Sequence, residues 1–104
     1  MKIIEAAGAR KDKAMQPIIS VIIRTKNEEK WIGHCLDAVF RQKVEAEIEV
    51  VLVDNESIDY TIGVAKRFPI SKIVTITDYL PGKALGDGIR KSTGDYIVCL
   101  SSHC

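Results

Sequence analysis

Val50-Val51-Leu52-Val53-Asp54-Asn55-Glu56-Ser57-Ile58-Asp59-Tyr60-Thr61 decides the fold. An unbroken apolar run ends abruptly in an acid, and a polar turn and a helix start follow. A short run without polar alternation suits a strand buried on both faces, as in a parallel sheet. In an open α/β sheet, ligands sit at the carboxyl ends of the strands. Asp54 would stand at such an end, its carboxylate able to accept hydrogen bonds from a ribose hydroxyl or the N–H edge of a base. The plain structural alternative is that Asp54 ends a strand and Asp59 caps a helix.

The same grammar extends in both directions. Ile18 to Ile23 reads Ile-Ile-Ser-Val-Ile-Ile, nearly all β-branched, and predicts the first strand. Glu28 to Gln42 predicts a helix, with Trp31, Ile32, Cys35, Leu36, Val39 and Phe40 at helical spacing and acids in its first turn. Ile48 to Val53 is the second strand. Asp59 to Phe68 is the second helix, stopped by Pro69. Lys72 to Thr77 is the third strand, Pro81-Gly82 a turn, and Lys83 to Ser92 a third helix ended by Gly94. Tyr96 to Leu100 is the fourth strand. The order β-α-β-α-β-α-β with short connections predicts a three-layer, Rossmann-like α/β fold with a mainly parallel sheet of about four strands. Right-handed crossovers place helices on both faces.

Composition narrows the class. The 104 residues are one small domain, which at this size buries roughly 60–70% of its unfolded surface. Apolar residues at 46% and charged residues at 28% mark a soluble, globular chain. A net charge of +1 gives no argument for a nucleic-acid partner. No stretch approaches the roughly 20 apolar residues of a membrane span. Residues 1–17 carry scattered cations and no apolar run, so they are not a signal peptide. They are expected as a flexible N-terminal arm, or as a short extra element docked on the body, with 18–104 as the folded domain. Three cysteines, an odd count without a leader, point to a reducing, cytoplasmic setting. Cys99 and Cys104 beside His103 match no usual zinc spacing.

Three strand ends should converge on one rim: Arg24 to Glu29, Asp54 to Ser57, and Ser101 to His103. The Pro81-Gly82-Lys83 turn opens a helix whose backbone N–H groups and lysine can face an anion. The rim suits a small polar ligand with a phosphate. For Thr25 and Asn27 helix capping is the competing explanation, and for Lys83 a solvated surface lysine.

Ile19-Ser20-Val21-Ile22-Ile23-Arg24-Thr25-Lys26-Asn27-Glu28-Glu29 resembles the opening of family 2 glycosyltransferases of GT-A fold. So do Cys35 to Val39, Glu49 to Thr61, and the block from Gly82 to Ile89 through Thr93-Gly94-Asp95-Tyr96-Ile97, in the family's order and spacing. The resemblance covers residue 18 to the end and implies the nucleotide-sugar-binding half of that fold. It implies that Thr25, Asn27 and Glu28 line the base and ribose. It further implies that Asp54 bonds base or ribose, Asp59 supports that loop, and Lys83 lies toward the diphosphate. The implied partner is a nucleoside-diphosphate sugar, and the implied cofactor is Mg²⁺ or Mn²⁺, neutralising the leaving diphosphate.

Departures from the family pattern qualify this. The usual proline is Arg24, and the usual asparagine of the third helix is Gly86. The Asp-x-Asp metal motif, expected just after Leu100, reads Ser101-Ser102-His103. Two carboxylates suit a hard cation; two hydroxyls and an imidazole do not, although His103 is a weak Mn²⁺ candidate. The acceptor half that supplies a catalytic base lies outside these residues. The expectation is therefore a donor-binding portion, not catalytically complete alone. Its alternative is a non-catalytic module with a degenerate glycosyltransferase fold, self-associating or binding a partner through the bare sheet edge after Leu100. A phospho-acceptor receiver domain would want an acidic pair where Arg24-Thr25 stands, and a fifth strand followed by lysine.

Overall fold

The computed structural model describes residues 2–5, 16–77 and 81–101. Five strands and three helices follow one another as β1 (Lys2–Glu5), β2 (Ile18–Thr25), α1 (Ile32–Phe40), β3 (Glu47–Asp54), α2 (Thr61–Ala65), β4 (Lys72–Thr75), α3 (Pro81–Lys91) and β5 (Tyr96–Ser101). They form one sheet in the order β1-β5-β2-β3-β4. β5, β2, β3 and β4 are mutually parallel, as the unbroken apolar runs predicted.

The fifth strand is a short extra element docked on the body, one of the two expectations for the N-terminal segment. Lys2–Glu5 pairs antiparallel with β5, Lys2 opposite Cys99 and Glu5 opposite Tyr96. The edge beyond β5, expected to be bare, is thus covered by the chain's own beginning. The physical reason is the open row of backbone donors and acceptors on an edge strand, which another extended segment satisfies. Four residues with no alternating pattern leave too weak a signal for sequence reading.

Alternate residues of the strands feed two cores. Val21 and Ile23 of β2 join Val50 and Leu52 of β3 beneath α1 and α2, with Ile32, Cys35, Leu36, Val39 and Ala65. Ile22, Val51, Val53 and Ile97 form the opposite core, against which Ile89 of α3 packs. Helices therefore cover both faces, giving three layers. α3 lies especially close: a Cβ on Gly88 would meet Ile22 Cγ2 at 2.4 Å and Val53 Cγ2 at 3.1 Å. On the α1 face, a cavity of about 410 Å³ opens over β2 and β5, lined by residues including Ile19, Val21, Val39, Val44, Val98 and Leu100.

Two helix starts differ from the periodic pattern, in opposite directions. α1 begins at Ile32 rather than Glu28, because residues 28–31 form a turn in which the Glu28 carbonyl accepts from both Trp31 N–H and Ile32 N–H. α3 begins at Pro81, whose missing N–H costs nothing in a first helical turn.

The amino ends of the parallel strands are tied by polar bonds. Ile18 N–H donates to Asp95 Oδ2 at 2.8 Å, and Asp95 N–H returns to the Ile18 carbonyl at 2.7 Å. Glu49 accepts from Ser20 Oγ at 2.9 Å, Thr93 N–H at 2.8 Å and Thr93 Oγ1 at 2.7 Å. The Ser20 hydroxyl in turn accepts from Gly94 N–H at 2.8 Å. Partial burial pushes the Glu49 carboxyl up, but the bonds from Thr93 and Ser20 and the nearby Lys72 outweigh it, leaving its pKa below the usual value.

Candidate functional site

Parallel register brings the carboxyl ends of the strands into line. Thr25 stands opposite Asp54, and Asp54 opposite Thr75. On the other side of β2, Arg24 stands opposite Ser101. The strand order runs outward from β2 through β3 to β4, then returns to β5 on the far side. That reversal is where an open α/β sheet leaves a crevice for ligands.

Thr25 and Asp54 are both buried, at 5% and 3% exposure. They differ in how they are satisfied. Asp54 Oδ2 accepts from Ser57 N–H at 2.9 Å, and Asp54 Oδ1 accepts from Ser57 Oγ at 2.5 Å. Each carboxylate oxygen keeps capacity for a further donor. Among the described residues, Thr25 Oγ1 has no hydrogen-bond partner at all. Its own backbone carbonyl accepts from Asn55 N–H at 3.0 Å, extending the β2–β3 pairing into the turn.

Two turns, 26–31 after β2 and 55–60 after β3, are laced together. Asn27 N–H donates to Ser57 Oγ at 2.8 Å, and Ile58 N–H donates to Asn27 Oδ1 at 2.8 Å. Glu28 N–H donates to Thr61 Oγ1 at 2.8 Å, and Glu29 N–H to Asp59 Oδ2 at 3.2 Å. Asp59 Oδ1 accepts from Thr61 N–H at 3.0 Å and also from the Thr61 hydroxyl. Partial desolvation raises the Asp59 pKa, but the bonds from Thr61 and from Glu29 N–H more than reverse this, and it lies below the usual aspartate value. Asn27 and Glu56 hold positive φ values of 49° and 48°. Asparagine tolerates that region; glutamate does so at a cost, met here by the bonds on either side of it.

The expected site residues therefore separate by geometry. Thr25 and Asp54 meet at the rim. Asn27, Glu28 and Asp59 meet in the laced turns, where their bonded atoms brace the backbone. Lys83 belongs to the first turn of α3, and its side chain lies outside the described residues, as do His103 and Ser102. Ser57 and Thr61 escaped sequence reading, yet they carry most of the lacing. The signal was present in the Asp54-x-x-Ser57 and Asp59-x-Thr61 spacings, which suit local side-chain-to-backbone bonds.

The chemistry of the donor set bears on the metal implied by the fold. Where two carboxylates would be needed, the chain offers Ser101-Ser102-His103. Among the described residues no group of three His, Cys, Asp or Glu side chains converges to hold an ion. This set does not fit a hard divalent cation. Among the described residues no helix is long and apolar enough to cross a membrane.

Comparison with known proteins gives a consistent answer. A dolichyl N-acetyl-alpha-D-glucosaminyl phosphate 3-beta-D-2,3-diacetamido-2,3-dideoxy-beta-D-glucuronosyltransferase of Methanococcus voltae is 35% identical over 92 residues, 82% of this chain and 29% of the relative. Among solved structures, the mannosyltransferase PcManGT of Pyrobaculum calidifontis, in complex with GDP-Man and Mn²⁺, superposes with TM-score 0.74. It is 27% identical, over 91% of this chain and 30% of that one. Residues 1–349 of S. aureus TarS in complex with UDP-GlcNAc give TM-score 0.72 and 27% identity, over 86% of this chain and 27% of that one. The chain thus spans about three tenths of the length of the proteins it matches. The sequence profile of glycosyl transferase family 2 matches residues 20–104, from the middle of the first core strand to the end. On the fold, the rim and this match together, the chain belongs to glycosyl transferase family 2.

Proposed function

We propose that this chain is the donor-binding portion of a glycosyltransferase, holding the nucleoside diphosphate of a sugar nucleotide at the rim between β2 and β3. The observation that carries the reading is the pairing of Thr25 with Asp54 at the carboxyl ends of adjacent strands, one hydroxyl without a partner beside one carboxylate with capacity to spare. A base or ribose seated there supplies what both groups lack. Asn27, Glu28 and Asp59 act by bracing the turns. The amino end of α3, with Lys83 in its first turn, faces the diphosphate, where exposed helix N–H groups favour an anion.

Two structural neighbours support the donor class, since they are in complex with UDP-GlcNAc and with GDP-Man. In the reaction proposed for the whole protein, an acceptor hydroxyl attacks the anomeric carbon. The bond from that carbon to the phosphate oxygen breaks, the diphosphate leaves with the electron pair, and a base takes the hydroxyl proton. The acceptor class we propose is a lipid-linked hydroxyl, after the dolichyl-linked substrate in the relative's name.

Calorimetric titration with uridine, guanosine and thymidine diphosphate-sugars, with and without Mn²⁺, tests the donor reading. Saturable binding of one nucleotide class is expected. A flat titration across all of them sinks it. A second reading, nucleotide binding without transfer, is favoured by Ser101-Ser102-His103 where carboxylates are expected. It predicts affinity that Mn²⁺ leaves unchanged.

A further inference from the structure

Two departures from the family pattern lie far apart in the chain: Arg24 where the usual proline stands, and Ser101 at the start of the run that replaces Asp-x-Asp. The fold makes them neighbours. The β2–β5 register sets Arg24 directly opposite Ser101 at the carboxyl ends of the two strands. Both side chains fall on the α3 face of the sheet. Residues two apart in a strand share a face. Ile22, two before Arg24, belongs to the core under α3, and Cys99, two before Ser101, packs against that core. On its other side Arg24 stands opposite Val53, and Val53 opposite Val74. Of these four strand-end residues, Arg24 alone carries a charge. It is partly buried, and Ser101 is exposed.

The Arg24–Ser101 pair stands between β2 and β5, where the strand order reverses and the crevice opens. α3 runs down from the same rim, because β4 precedes its amino end and β5 follows its carboxyl end. Gly88 is where α3 comes against Ile22. From that contact Arg24 lies two strand residues toward the rim, about 7 Å. The backbone of Gly82 lies six helical residues toward it, about 9 Å. Arg24 is therefore roughly level with the first turn of α3, where the donor reading puts the diphosphate.

A diphosphate held in such a crevice needs its negative charge met. Hydroxyls and an imidazole in place of two carboxylates leave no set for a hard cation there. A guanidinium meets the charge directly, since its planar fork matches phosphate oxygens and stays protonated at any physiological pH. Its five N–H donors let it serve a phosphate alongside another acceptor. A carboxylate opposite Arg24 would pair with it and repel phosphate; the Ser101 hydroxyl does neither and adds a donor. We propose, resting on the donor reading, that Arg24 binds the diphosphate of the donor with the Ser101 hydroxyl beside it, and that this chain holds its nucleotide without a divalent cation.

Titration calorimetry of the full chain with uridine, guanosine and thymidine diphosphates, and with the corresponding uncharged nucleosides, in EDTA and in Mn²⁺, tests this. One diphosphate is expected to bind saturably in EDTA, with an affinity that Mn²⁺ leaves unchanged. Arg24→Gln should weaken that diphosphate roughly tenfold to a hundredfold, the scale of a charge-assisted hydrogen bond, and leave its nucleoside unaffected. Arg24→Lys should recover part of the loss. Ser101→Asp sets a carboxylate opposite Arg24 at an exposed strand end and should weaken the diphosphate likewise, so the question stays decidable if Arg24→Gln fails to fold. Three results overturn the role of Arg24 while the donor reading stands: diphosphate binding that requires Mn²⁺, diphosphate binding that folded Arg24→Gln or Ser101→Asp leaves intact, and a loss in the variants that the nucleoside shares equally. A flat titration of the parent chain with every diphosphate removes the donor reading, and the role of Arg24 with it.

Discussion

Ser57 closes on both oxygens of Asp54, its N–H on Oδ2 at 2.9 Å and its hydroxyl on Oδ1 at 2.5 Å. The same hydroxyl oxygen accepts Asn27 N–H. One small side chain thus links the end of β3 to the turn after β2. Ser57→Ala removes two of these three bonds and leaves Asn27 N–H without its acceptor. Because the turn is partly solvated, water recovers some of the loss, and a destabilisation of about 1–2 kcal/mol is expected. Chemical denaturation measures it. Nucleotide affinity should fall with it, since Asp54 loses its orientation. An unchanged denaturation midpoint would show that the link contributes nothing.

Thr25 separates stability from binding. Its Oγ1 is buried without a partner among the described residues, so the folded state carries a desolvation cost there. Thr25→Val keeps the β-branched shape and removes the hydroxyl. Stability is expected to hold or rise by up to about 1 kcal/mol, while nucleotide affinity falls roughly tenfold, the scale of one buried hydrogen bond. Thermal melting and titration calorimetry on the same variant decide it. A variant that binds as tightly as the parent would remove Thr25 from the site.

Gly88 sets the distance of α3 from the sheet. Alanine there gains about 1 kcal/mol of helix propensity. Against it, the new Cβ lies 2.4 Å from Ile22 Cγ2, a side chain with no exposed surface at the centre of the sheet. Overpacking of this kind costs about 1–3 kcal/mol. Steric cost is expected to win, so Gly88→Ala should lower the melting temperature. A rise would show that α3 moves away from β2 freely.

Glu49 gives the fold an acid-sensitive clasp. Its pKa in the folded chain lies below the ordinary 4.5, because Thr93 and Ser20 donate to it and Lys72 is near, despite partial burial. A depressed carboxylate contributes stability above the unfolded pKa, and that contribution is lost as pH falls through the folded value. Stability should therefore decline from about pH 4.5 downward. Asp59, lowered from 3.8, adds in the same direction at lower pH. Glu49→Gln should flatten the upper part of this decline in denaturation curves taken from pH 6 to pH 3. A parallel decline in the variant would assign the acid sensitivity elsewhere.

The order of strands and helices was legible in residues 18–101 above all because the central strands β2 and β3 are buried on both faces. Ile18 to Ile23 and Val50 to Val53 have no polar alternation, and that property belongs to the residues themselves. The carboxyl-end position of Asp54 followed from the same pattern. Register and contact did not. Whether Asp54 points to solvent or is held by Ser57, and whether Asn27 caps a helix or bonds a turn some thirty residues away, depends on two strands lying side by side. The edge strand Lys2–Glu5 depends on the open ladder of β5 at the other end of the chain. Local sequence determined which segments become elements, because burial periodicity is local. Only the folded sheet decided which polar groups meet, because their partners are brought together by pairing between residues distant in sequence. It left one of them, Thr25 Oγ1, without a partner among the described residues at the rim where a ligand would sit.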